Sequence, residues 1–115
     1  MTTADILIAA RARLTPETWG QGDKVIDRHL DCAGLAICRA AQGMFFAGHP
    51  PVDRATAVYW ATVNLVARCA TGVPDPKLIP VWNDAAGRTL AEVHALFDAA
   101  IAIAQQQEVS AAVPA

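Results

Sequence analysis

The chain has 115 residues, a formal net charge of −2, and 54% hydrophobic against 17% charged residues. These figures fit one domain with one modest core and exclude a disordered, highly charged tail. Nine Lys and Arg are scattered rather than clustered, so a nucleic-acid partner is disfavoured.

No apolar run approaches the ~20 residues of a membrane span. The N-terminal run "ILIAA" follows Asp5 rather than a positive charge, unlike a secretory signal. The expectation is a soluble, cytoplasmic protein that does not enter a membrane. Its three cysteines show no pairing framework and suit a reducing compartment.

Taken in chain order, Ile6, Leu7, Ala10 and Leu14 form one helical stripe, with Thr2 or Thr3 as the N-cap and Pro16 just past its end. Residues 15–30 hold Gly20 and Gly22 and no sustained period. They read as a loop, with at most a turn of helix or a short extended piece at Lys24–Ile26. A second helix is expected over 31–46, with Ala33, Ile37, Ala40, Ala41 and Met44 on one face. Leu35 and Phe46 on its other side suggest a central helix, apolar nearly all round.

The prolines of "GHPP" stop that helix, and Asp53 is the expected cap of a third running to about Ala70. Val58, Thr62, Leu65, Val66 and Cys69 form its stripe, and Trp60 falls outside it. Three prolines in "TGVPDPKLIP" suggest a loop of extended backbone. Thr89 and Glu92 fit a capping box opening a fourth helix, whose stripe runs from Leu90 to Ala104 and ends near Gln105–Gln107. The expected fold is all-α: a compact bundle of about four helices with long ordered loops. A single helical domain spans residues 1–107, and 108–115 form a flexible C-terminal tail.

The stretch "DCAGL", with Trp19-Gly20-Gln21-Gly22 upstream, resembles the way NlpC/P60 cysteine peptidases present their thiol. That resemblance implies a hydrolase with Cys32 as nucleophile. The base would be His49 or His94, because a thiol needs one to form thiolate and to protonate the leaving group. Neither histidine lies in a strand pattern, and Ala33 stands where the peptidases usually carry Ser. The plainer reading makes Cys32 and Cys38 small packing residues. His29-x-x-Cys32 is a single loose pair, short of the paired knuckles of a zinc site, so neither metal nor cofactor is expected.

Residues 82–89, "WNDAAGRT", are the most distinctive segment. Trp82 reads as a large apolar anchor, and Asp84 to Gly87 as a type I turn. Arg88 can pair with Asp84 or cap a carbonyl of the preceding loop. The functional alternative makes Trp82, Asn83, Asp84 and Arg88 a site for a small polar ligand. The segment is also similar to the closing signature of an uncharacterised family of small bacterial and phage proteins, a domain of unknown function. Trp19-Gly-Gln21-Gly22, Cys32-Ala-Gly34-Leu-Ala36 and Trp82-Asn83-Asp84-Ala-Ala-Gly87-Arg88-Thr89 carry the resemblance, in order, over most of residues 4–104. Ala86 departs from the Pro often found there. The resemblance implies no activity. It does imply a phage or mobile-element link, and it explains "CAGLAICRAA" without catalysis.

The expected function is therefore non-catalytic: binding a protein partner or a second copy of the chain. Trp60, Asn64 and Ile8 lie off the main stripes of their helices and are the interface candidates.

Overall fold

The computed structural model describes residues 1–48 and 50–112. Six helices follow one another along the described residues: α1 (Thr3–Arg13), α2 (Lys24–Asp27), α3 (Ala33–Gly48), α4 (Val52–Thr71), α5 (Leu78–Asn83) and α6 (Leu90–Ala112). The four long ones, α1, α3, α4 and α6, are the four expected from periodicity. No strand occurs among the described residues; one isolated parallel bridge joins Trp19 to Asp31. The fold is all-α.

α1 forms because Thr2 closes a capping box. Its hydroxyl accepts from the Asp5 amide at 3.1 Å, and the Asp5 carboxylate accepts from the Thr2 amide at 3.0 Å. Ile6, Leu7 and Ala10 are fully buried and Leu14 nearly so. α1, not α3, is the middle element, packing against α3, α6 and α4. The far end of α3 reaches solvent, where Phe46 is 77% exposed.

Three other expectations change. α4 begins at Val52: Pro51 occupies its N-cap, two residues before the expected Asp53, which sits in the first turn, where a carboxylate still favours the helix N-terminus. Its buried face is rotated toward Val63 and Ala67, which join Thr62 and Val66 inside, while Val58, Leu65 and Cys69 are half-buried. Of the two options expected at Lys24–Ile26, the turn of helix is the one that forms, as α2. The proline-rich stretch is not extended throughout, because Leu78–Asn83 form α5. Pro80 is tolerated there since first-turn amides have no helical partner to lose. Asp75 starts the turn: its carboxylate accepts from the Lys77 amide at 3.1 Å and its carbonyl from the Leu78 amide at 3.0 Å.

α6 opens on the expected box. The Thr89 hydroxyl accepts from the Glu92 amide at 3.1 Å, and the Glu92 carboxylate accepts from the Thr89 amide at 2.9 Å. The helix then runs to Ala112, past the end expected at Gln107. Glu108 helps explain this, since its carboxylate accepts from the Ala4 amide at 3.3 Å, one of the unpaired donors in the first turn of α1. Residues 113–115 of the expected tail lie outside the described residues. No described helix is long and apolar enough to cross a membrane.

Candidate functional site

Three segments far apart in sequence meet at one side chain. Asn83, the last residue of α5, is fully buried. Its Oδ1 accepts from the Trp19 indole N–H at 2.9 Å and from the Ala33 amide at 3.1 Å. Its Nδ2 donates to the Gly20 carbonyl at 3.1 Å and to Asp84 Oδ1 at 3.0 Å. An amide offers two donors and two acceptor sites, so the group is saturated. Its orientation is also forced: an indole and a backbone N–H can only donate, and a carbonyl can only accept.

Neighbouring bonds lock the same junction. Gln21 Nε2 donates to the carbonyls of Asn83 (2.8 Å) and Ala85 (3.0 Å). The Gly22 amide donates to Asp84 Oδ1 at 2.9 Å. Gly20 is required by close approach, because a Cβ there would stand 2.8 Å from Leu30 Cδ1. Gly87 sits at φ +78°, the left-handed region that ends the 84–87 turn, and the Arg88 amide then reaches the Ala85 carbonyl.

The four ligand candidates are thus brought together and bonded within the chain. Trp82 is half-buried against the core rather than enclosed by it. The Arg88 guanidinium lies 3.9 Å from its ring centroid, donates from Nε to the Trp82 carbonyl at 2.9 Å, and pairs with Glu92 at 3.3 Å. The acceptor is neither of the two expected from sequence: the Trp82 carbonyl lies in the 82–89 segment itself rather than in the preceding loop, and Asp84 holds Gly22 and Asn83. Hydrogen bonds from Thr89 hold the Glu92 carboxyl below its ordinary value, with Arg88 adding to the effect.

Cys32 stands just before α3 and helps cap it. Its carbonyl accepts from the Ala36 amide at 3.0 Å and its sulfur from the Leu35 amide at 3.4 Å. Of the two candidate bases, His94 has its Nε2 2.7 Å from the Leu14 carbonyl, tying α6 to the end of α1. His49 lies outside the described residues. Among those described, no histidine is hydrogen-bonded to Cys32. Cys38 is half-buried; with burial, it raises the Tyr59 hydroxyl, and burial likewise pushes the Cys69 thiol up against the opposing pull of Arg68. No three His, Cys, Asp or Glu side chains converge among the described residues in a way that could hold a metal ion.

Beside Cys32, Asp31 is 4% exposed and receives hydrogen bonds from two guanidiniums, Arg13 Nε at 3.2 Å and Arg39 Nη1. Sequence reasoning gave Asp31 no role of its own. Its only signal was its place next to the cysteine.

The interface candidates lie apart. Trp60 is 52% exposed and packs edge-on against Tyr59. It borders a groove of about 370 Å³ whose walls include Gly34, Val63, Pro76 and Pro80. Asn64, one turn along α4, lines a second groove with Arg68 and Ile103. Ile8 borders a third, of about 580 Å³, between α1 and the end of α3.

The junction around Asn83 uses all three motifs that suggested a family, and a model of one such family covers residues 1–103. The chain belongs to DUF6197, a family of unknown function. No curated protein and no solved structure matches it. The matched span of DUF6197 takes in the Trp19, Cys32 and Trp82 segments, so the whole Asn83 junction lies within the family domain.

Proposed function

We propose that this DUF6197 protein is a non-catalytic interaction protein, and that the Trp60 face of α4 binds a second copy of the chain. The observation that carries the reading is the half-exposed Trp60 indole bordering an apolar groove on the same face. Each partner in a two-fold dimer presents the same patch, so a projecting group and a recess side by side make a patch self-complementary. Large aromatic side chains are also the usual anchors of such contacts. The low charge content leaves little polar surface to dilute an exposed indole. A phage or mobile-element link, supported by the resemblance of the three motifs, and a cytoplasmic setting, suited by three cysteines without a pairing framework, belong to the same reading.

Sedimentation velocity over a range of concentrations tests it. Wild-type protein is expected to shift from monomer to dimer as concentration rises. Trp60→Ala is expected to remain monomeric, with the melting temperature of the dilute protein unchanged. A wild type that stays monomeric, together with a Trp60→Ala variant that unfolds, would assign Trp60 a packing role and end the proposal.

A further inference from the structure

A separate cleft, of about 330 Å³, opens between the 16–21 segment and α2, with Trp19 and Gln21 on one side and Lys24 and Arg28 on the other. The first wall is rigid, since the Trp19 indole is held by Asn83 and the Gln21 amide by two carbonyls. The second wall carries Lys24, the first residue of α2, and Arg28, its C-cap, whose amide donates to the Lys24 carbonyl at 3.0 Å, so the two cations stand one turn apart. Neither Lys24 nor Arg28 has an ion pair or side-chain hydrogen bond among the described residues, although Asp23 and Asp27 flank them in sequence. The four ion pairs among the described residues use Arg11, Arg13, Arg39 and Arg88.

A four-residue helix has no stability of its own. α2 is held from both ends. Before it, the Gly22 amide is fixed to Asp84. After it, His29 adopts φ +54°, an uncommon conformation for a residue with a side chain, and Leu30 turns back against Gly20. The backbone that carries these two exposed cations, unpaired among the described residues, is thereby fixed opposite an immobilised indole.

We propose that this cleft binds a small anion carrying a flat ring, of the nucleoside monophosphate class. Lys24 and Arg28 take the phosphate by charge-assisted hydrogen bonds, and Trp19 offers an apolar aromatic surface to the base. Glu17, at the rim, can accept from a ribose hydroxyl or an exocyclic amine. The volume is at the small end of ligand clefts, which favours a mononucleotide over a di- or triphosphate. A nucleic-acid strand is disfavoured by the net negative charge and the lack of a basic stripe. The site does not depend on the Trp60 interface.

Calorimetric titration of the full chain with AMP, UMP, adenosine and inorganic phosphate tests the assignment. A mononucleotide is expected to bind with a Kd below about 1 mM, and adenosine and phosphate each at least ~10-fold more weakly. Lys24→Ala and Arg28→Ala, both at exposed positions, are each expected to weaken the mononucleotide about 10-fold at an unchanged melting temperature. The Trp19 indole N–H resonance should shift on titration in wild type. Three results would overturn the proposal: no mononucleotide binding below about 1 mM, phosphate binding as tightly as the nucleotide, or binding undiminished when Lys24→Ala and Arg28→Ala are combined.

Discussion

Asn83→Ala removes one side chain and strands groups from two other segments. The Ala33 amide and the Gly20 carbonyl belong to buried residues, and the Trp19 indole N–H is partly buried. A buried polar group left without a partner costs about 1–3 kcal/mol, so the two backbone groups together cost roughly 2–6 kcal/mol. The vacated volume can admit a water with polar partners on several sides, which draws the expected loss toward the lower half of that range. A domain of this size has a total stability of roughly 5–15 kcal/mol, so the loss is easily measured. Urea unfolding followed by tryptophan fluorescence is the assay. The midpoint should fall with the slope unchanged, since the native surface is nearly the same.

Asn83→Asp separates hydrogen bonding from volume. The new carboxylate keeps an acceptor for Trp19 and Ala33 but sets negative charge against Asp84 and the Gly20 carbonyl. Its folded-state pKa must therefore rise above the unfolded value of about 3.9. The sign follows from linkage: the unfolded state loses its proton first, so the variant loses stability as pH rises above about 4. An Asn83→Ala variant as stable as wild type would refute the reasoning. So would an Asn83→Asp variant whose deficit does not grow between pH 4 and pH 7.

Cys32→Ser should fold with stability equal to or above wild type, because serine is a better N-cap, and Cys32→Ala should lose at most about 1 kcal/mol; peptidase or amidase activity lost in either variant would restore the hydrolase reading. Trp82→Ala is expected to cost about 2–3 kcal/mol, less than the ~3–5 of an enclosed tryptophan, because the ring is half-buried and stacked under Arg88; thermal melts decide between the two. The Glu92 carboxyl is held below its ordinary 4.5, so its stabilising effect is full above that pH and fades as pH falls through the lower folded-state value. Relative to wild type, Glu92→Gln should therefore show its deficit at neutral pH and lose it in acid, as read from denaturant midpoints.

Hydrophobic spacing alone determined that the chain is helical and where the four long helices lie. Ile6, Leu7, Ala10 and Leu14 repeat at helical spacing, and all four are buried. Local chemistry did the same for the Thr89–Glu92 box, since its partners are three residues apart. Tertiary structure decided the rest. A four-residue α2 and a proline-containing α5 have too few internal bonds to stand alone, so their helicity depends on packing that no local pattern encodes. The extension of α6 to Ala112 is accompanied by a contact between Glu108 and Ala4, 104 residues apart. Sequence marked residues 82–89 as distinctive, but could not tell that Asn83 rather than Trp82 would be enclosed. The four bonds that enclose it come from Trp19, Gly20, Ala33 and Asp84. Three of those partners lie 50 or more residues away in the chain. A buried amide is legible only when its partners are known, because burial without them would be too costly to occur.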